Sequence, residues 1–287
     1  MNIDLRVKKP GLVDNSFFTV TIYSMLTDAH CHPFDREQLT GNSEQGIGVL
    51  AAASACSQEE FTFNEELAHN AAAPTQLLLC FGVHPQLPAV RIADGGGFSA
   101  LELEGSLGFL NALASAGRLS AVGECGFDLF NTAYRETEYL QDRIFSAHVE
   151  ISLRYDLPMV LHVRRAVHKI FALTKTLRKC RALIFHSWQG TLEDAKSILN
   201  HGVNAYFSFG NTIMLNHKKA VKCCALLPAE RILTETDAPY QPRRGEKYSG
   251  WADLPFIIET AAALRNVPVN ELEQQVEVNF KNAFLFK

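Results

Sequence analysis

Apolar residues arrive in short, near-continuous runs, and the longer stretches between them repeat apolar positions at helical intervals. Runs at Ile22 to Asp28, Ile47 to Ala53, Gln76 to Gly82, Leu119 to Gly123, Pro158 to His162, Ala182 to His186, Val203 to Phe209 and Arg231 to Glu235 predict eight strands. Their apolar continuity suits strands covered on both faces. Among the helical stretches, Thr191 to His201 is the most completely specified. Thr191 and Asp194 stand at capping-box spacing, Leu192, Ala195, Ile198 and Leu199 share a face, and Gly202 is the stop. Gln58 to Ala73 opens with acidic residues and ends at Pro74, and Glu136 to Tyr155 carries Leu140, Ile144, Ala147, Ile151 and Tyr155 in helical register. Ser99 to Gly117, Trp251 to Arg265 and Glu271 to Phe284 read as further helices, and Arg91 to Gly97 as a Gly-rich loop.

Strands alternating with helices over roughly 250 residues predict an α/β fold, a single-domain (β/α)8 TIM barrel. The rival is a doubly wound open sheet, whose Gly-rich phosphate turn after the first strand is missing here. A histidine pair occupies that place, in Asp28-Ala29-His30-Cys31-His32. Side chains alternate along a strand, so His30 and His32 point the same way and can grip one cation.

Four more candidate ligands, Glu124, His162, His186 and Asp237, fall at the ends of other predicted strands, where barrel active sites are built. Four imidazoles and two carboxylates exceed what one tetrahedral ion needs, and two ions sharing a carboxylate would use them all. Glu124, midway in strand order, is the natural bridge. Asp237 can bind one ion and accept the proton of the attacking water, or serve as a turn residue before Pro239. The chemistry implied is hydrolysis by a hydroxide held between two divalent ions, drawn from Zn, Mn, Fe, Ni or Mg. Glu235 alternates to the same face as a supporting acid. His84, in Phe81-Gly82-Val83-His84-Pro85, reads either as a substrate contact or as a polar turn residue. Arg164 and Arg165, with Arg243, Arg244 and Lys247 in the loop after strand eight, would ring the mouth with positive charge. His69, His148, His168, His201 and His217 fall on helical segments and read as structural or surface residues.

Composition narrows the setting. The chain has 287 residues, 47% hydrophobic and 20% charged, with no apolar stretch approaching the roughly 20 residues of a membrane span. Residues 1–24 lack an apolar core like a signal peptide's and read as a loosely attached extension ahead of a catalytic domain at 25–287, with Met25 as an alternative start. Seven cysteines, an odd number without a CxxC pair, suggest reduced thiols and a cytoplasmic protein. Cys31 and Cys125 should point away from their ligand neighbours. A net charge of −4 gives no global basic footprint, so a phosphate substrate must be held locally. No obligate protein partner is expected.

Taken together, the ordered blocks DAHCHP, GVHP, VGECGFD, LPMVLHVRRA, FHSWQGTLEDA, FSFGNT and ILTETDAPY, with a terminal VEVNFKNAFLF, resemble the TatD family of metal-dependent hydrolases in the amidohydrolase superfamily. The resemblance runs from Leu26 to Phe286. It implies a TIM barrel in which His30, His32, Glu124 and Asp237 surround one divalent ion while Glu124, His162 and His186 surround the other. It also implies phosphodiester hydrolysis of the 3′ to 5′ exonuclease kind on DNA or RNA ends, with His84 beside the substrate phosphate. Arg165, Trp188 and the Arg244-Gly245-Glu246-Lys247-Tyr248-Ser249-Gly250 loop depart from the family pattern, all at the substrate rim. Two other functions compete: an amide, ester or lactone hydrolase using the same site, and a non-catalytic metal-stabilised binding protein.

Overall fold

The computed structural model of the chain describes residues 25–33 and 48–285. The expected extension at 1–24, the predicted strand starts at Ile22 and Ile47, and Phe286 lie outside the described residues. Eight strands form one parallel sheet in sequential order: β1 Leu26–Cys31, β2 Val49–Ala55, β3 Gln76–Phe81, β4 Ala121–Asp128, β5 Met159–Arg164, β6 Leu183–Phe185, β7 Ala205–Phe209 and β8 Ile232–Thr234. Each pairs in parallel with the next. The helices are α1 Gln58–Asn70, α2 Leu87–Ala93, α3 Ala100–Ser115, α4 Thr132–Glu136, α5 Glu138–Tyr155, α6 Val167–Leu177, α7 Leu192–Asn200, α8 Asn211–Met214, α9 Lys218–Leu226, α10 Leu254–Arg265 and α11 Val269–Phe284. The molecule is the predicted (β/α)8 barrel.

Strand parity sorts side chains into two layers. Leu50, Ala52, Cys80, Ala121, Val160, Ile184, Tyr206 and Leu233 form an inner cluster, which Phe280, Ala283 and Phe284 of α11 join where the strands begin. Phe81, Phe127, Leu161, Phe185, Phe207 and Phe209 face outward against Phe61, Leu110, Phe145, Ile170 and Ile198 of the helices. With one end of the barrel filled by α11, the strand C-termini are left to form the mouth.

The seam between β8 and β1 is closed largely by side chains. Thr234 Oγ1 donates to the Thr27 carbonyl at 3.0 Å, and Asp28 accepts from Thr236 N at 2.9 Å and Thr236 Oγ1 at 2.6 Å. Asp237 N then donates to the His30 carbonyl at 2.9 Å and His32 N to the Ala238 carbonyl at 2.6 Å. The residues flanking the histidine pair are therefore tied directly to the segment that carries Asp237.

The capping box of α7 is formed as predicted, with Thr191 and Asp194 each bonding the other's backbone N–H. Two segments differ from expectation. Arg91 to Ala93 are helical, because Pro88 with its fixed φ opens α2, and only the residues after Ala93 form the Gly-rich turn. The helix expected from Glu136 is interrupted at Thr137, dividing α4 from α5.

Candidate metal centre

Glu124 is placed by bare backbone. β4 runs on to Asp128 rather than stopping at Gly123, so Glu124 lies within the strand, where the register against β5 shifts between Val122 and Cys125. Gly123 has φ +145°, and a Cβ there would fall 2.4 Å from the Val160 carbonyl oxygen. A Cβ at Gly82 would fall 2.6 Å from Glu124's own carbonyl. Only glycine allows the two neighbouring strands to come this close and turn the carboxylate into the mouth.

Five imidazoles surround that carboxylate. Oε2 lies 3.3 Å from both His30 Nε2 and His32 Nε2. Oε1 lies 2.8 Å from His162 Nδ1, 2.9 Å from His186 Nε2 and 3.3 Å from His84 Nε2. Asp237, in the left-handed region at φ +55°, brings Oδ1 to 3.6 Å from His30 Nε2. All six predicted ligands thus converge, from β1 and the residue after it, from β4 and β5, from the residue after β6 and from the segment after β8. The ring nitrogens also face one another, His30 Nε2 to His32 Nε2 at 3.1 Å and His162 Nδ1 to His186 Nε2 at 3.2 Å. Paired lone pairs around ionised carboxylates are a donor set that suits divalent cations.

The electrostatics agree. Burial would raise the Glu124 carboxyl, yet His84, His186 and His30 together hold it well below the usual carboxylate range. Burial pushes His30 down to about 4, with His186 acting in the same direction. Burial also disfavours charge on His186, but Glu124 beside it outweighs this and lifts the ring to about 10. Burial opposes charge on His32 and His162 too, but Glu124 beside both rings, joined by Asp128 at His162, raises each above the ordinary imidazole value.

Tautomers separate ligand from donor. His162 Nε2 faces Asp128 Oδ2 at 3.0 Å and Nδ1 faces Glu124 Oε1 at 2.8 Å; a hydrogen held on Nε2 by Asp128 would leave the Nδ1 lone pair for a cation in the cluster. His84 is the reverse: Nδ1 accepts the Gln86 N–H at 3.2 Å, which puts the hydrogen on Nε2, aimed at Glu124. His84 therefore acts as a donor in the mouth. Glu235 is buried, accepts Ser187 N–H at 2.6 Å and Ser208 Oγ–H, and sits 3.9 Å from His186 Nδ1. Burial pushes its carboxyl up to about 8. Gln241 Nε2 bonds Asp237 Oδ2, and Ser54 Oγ lies 3.2 Å from His30 Nδ1.

Sequence reasoning missed several of these residues. Asp128 was signalled by parity, two strand steps beyond Glu124 on the same face. Gln86 Nε2 and Phe130 N bond it at 2.6 and 2.8 Å, and Gln141 brackets its backbone through Asp128 N and O. Cys56 and Glu60 stand close to His32 and had no signal beyond their position after β2. Cys31 and Cys125 turn into apolar layers, away from the ligands.

The mouth is a cavity of about 1350 Å³. Arg164 and Arg165 line it and pack over Phe130, with guanidinium carbons 3.7 and 4.7 Å from the ring centre. Arg244 is exposed and is not among the lining residues, and neither are Arg243 or Lys247. Arg243 is held by Asp253 at 2.6 Å and packs on Phe256, turned from the site. A second correction concerns His168 and His217, expected away from the rim: both line the cavity. They lie at helix starts, and in this barrel a helix starts on the side where the preceding strand ends. Of the other histidines, His148 is fully buried.

Comparison with known proteins adds a lineage. The family described as "TatD related DNase" matches residues 27–285. An uncharacterized metal-dependent hydrolase of Mycoplasma pneumoniae is 27% identical, over 90% of this chain and 98% of its own. The 3′-5′ ssDNA/RNA exonuclease TatD of Klebsiella pneumoniae is 30% identical, over 71% of this chain and 75% of its own. Among solved structures, the TatD homolog YjjV of Escherichia coli superposes with a TM-score of 0.75 at 26% identity, covering 91% of this chain and 98% of that one.

Proposed function

The chain belongs to the TatD family of metal-dependent hydrolases, and from that premise we propose that it cleaves phosphodiester bonds at the ends of single-stranded DNA or RNA. The observation that carries the reading is the ring of imidazole nitrogens and Asp237 around one buried, ionised Glu124, at the floor of a cavity rimmed by arginine. In this reading His30, His32, Glu124 and Asp237 hold one divalent ion and Glu124, His162 and His186 the other. When bound, the metal supplies Lewis acidity toward the phosphoryl oxygens and a water acidified toward neutrality. Asp237 Oδ1 takes the proton of the attacking water, held in place by Gln241 on Oδ2 and by its backbone N–H on His30. His84 Nε2–H donates to a nonbridging phosphoryl oxygen, and Arg164 places its charge beside the same group.

A glutamate would be the residue shared by both ions here, where amide-cleaving relatives of this superfamily often carry a modified lysine, and that difference favours phosphoryl over carbonyl chemistry. The small diester bis(p-nitrophenyl)phosphate with Mn²⁺ or Zn²⁺ tests the reading. Turnover abolished by EDTA, and reduced at least 100-fold in Asp237→Asn with an unchanged circular dichroism spectrum, is expected. Carboxyl-ester or lactone turnover without diester cleavage would overturn it, and so would full activity in Asp237→Asn.

The metal identity proposed is one with affinity for mixed imidazole and carboxylate ligands: Zn²⁺, Mn²⁺, Fe²⁺ or Ni²⁺ ahead of Mg²⁺. No helix among the described residues is long and apolar enough to cross a membrane.

A further inference from the structure

The cavity is electrically lopsided. Strand order divides its rim into a half built after β5, β6 and β7 and a half built after β8, β1, β2 and β3. On the first half stand Arg164 and Arg165 at the end of β5, His168 in the first turn of α6, and His217, Lys218 and Lys219 at the start of α9. On the second half Cys56, Glu60, Asn64 and Tyr240 line the wall, with no lysine or arginine among the lining residues there. The acid on the basic half, Asp194, is already engaged by Thr191 N–H in its capping box. None of the ion pairs among the described residues involves Arg164, Arg165, Lys218 or Lys219. The helices opening onto this half add dipole: the N-cap residues are Ala166 for α6 and His217 for α9, neither making a side-chain capping bond.

We propose that the wall formed by the end of β5 and the starts of α6 and α9 carries the backbone phosphates of one nucleic-acid strand, whose terminal linkage lies at the Glu124 cluster. The inference rests on the nuclease reading and deepens it by fixing the direction in which the strand leaves the site. A chain of phosphates follows unpaired positive charge, and the Glu60 half repels it. The cluster lies deep, with His30 fully buried and Glu124 2% exposed, so the end that reaches it must be unpaired. The cavity exceeds the usual 300–1,000 Å³ of small-ligand sites, leaving room for nucleotides beyond the reacting one. Tyr240, 59% exposed and lining the opposite wall, offers a ring face for the terminal base.

The test uses the full chain and the double variant Lys218→Glu/Lys219→Glu, both positions exposed and outside the cluster. Binding of a 5′-fluorescein single-stranded oligodeoxynucleotide is followed by anisotropy in EDTA, where no turnover occurs, across a salt series. The variant should bind at least 10-fold more weakly at low salt. Its log Kd against log salt slope should be shallower by about 1.4, two contacts at about 0.7 each for a single strand. Its hydrolysis of bis(p-nitrophenyl)phosphate with Mn²⁺ should stay within twofold of the parent. An unchanged Kd and slope, no binding by the parent, equal losses on the small diester, or competition by poly-glutamate as effective as by oligonucleotide would each overturn the proposal. Tight, variant-sensitive binding by a parent that fails to cut the strand in any metal would sink the nuclease reading alone.

Discussion

At the scale of single residues, the site depends on which nitrogen of each imidazole carries hydrogen, and that is decided by groups behind the ring. Asp128 shows this most plainly. An acceptor 3.0 Å from His162 Nε2, it favours a hydrogen there, which would free Nδ1 toward Glu124 and His186 for a cation, and it is itself fixed by Gln86, Phe130 N and the Gln141 side chain. Asp128→Ala should therefore weaken divalent-metal affinity 10- to 100-fold, read by competition against a fluorescent chelator, while Asp128→Asn should lose less because its amide oxygen still accepts. Equal affinity in Asp128→Ala and the parent would show that the tautomer of His162 is set elsewhere. His30 and His32 were legible at this scale, since strand parity puts residues two apart on one face. Asp28 was not, because its partner Thr236 lies 208 residues away in sequence and nothing local announces the contact.

At the scale of elements, the loop after β3 that carries His84 is anchored to α5 by a buried histidine. His148 Nδ1–H donates to the Ile144 carbonyl at 2.7 Å, and Nε2 accepts Val83 N–H at 2.9 Å, so the ring must be neutral to hold both. Burial lowers it to about 4 from its ordinary 6.5. As pH falls the unfolded chain takes up this proton first, so the stabilising contribution is full above about pH 6.5. It is lost as pH drops toward 4, amounting to roughly 3 kcal/mol. Urea midpoints in metal-free buffer should fall across that window with a slope steeper by up to one proton in the parent than in His148→Gln, and superimposable slopes would contradict the assignment. The α7 capping box and the apolar periodicity of α5 could be read in the sequence because both are local patterns. The division at Thr137 and the position of β4's end could not, since the first follows from the Thr137 turn and the second from glycine backbones packed against β3 and β5. His168 and His217 were misplaced because helical periodicity says which face a residue occupies and not which end of the barrel it reaches.

At the scale of the whole molecule, the barrel brings together donors that the chain keeps more than two hundred residues apart, His30 and Asp237 being the extreme pair. The eightfold alternation of strand and helix was enough to foresee this, since the architecture places every strand's C-terminal end at one mouth. The direction of the charge asymmetry was not, because it needs the closed strand order to know that the starts of α6 and α9 share a wall. The seam from β8 to β1 ties the segments carrying His30, His32 and Asp237 together, and across the mouth the buried Glu124 carboxylate, held well below the usual carboxylate range by His84, His186 and His30, is the acid they face. The most direct measurement is metal content after equilibrium dialysis against Zn²⁺ or Mn²⁺, by elemental analysis, of the parent and of Glu124→Gln. The account predicts two divalent ions per chain in the parent and the loss of at least one in the variant; a parent that retains none, or a variant that still holds both, would contradict it.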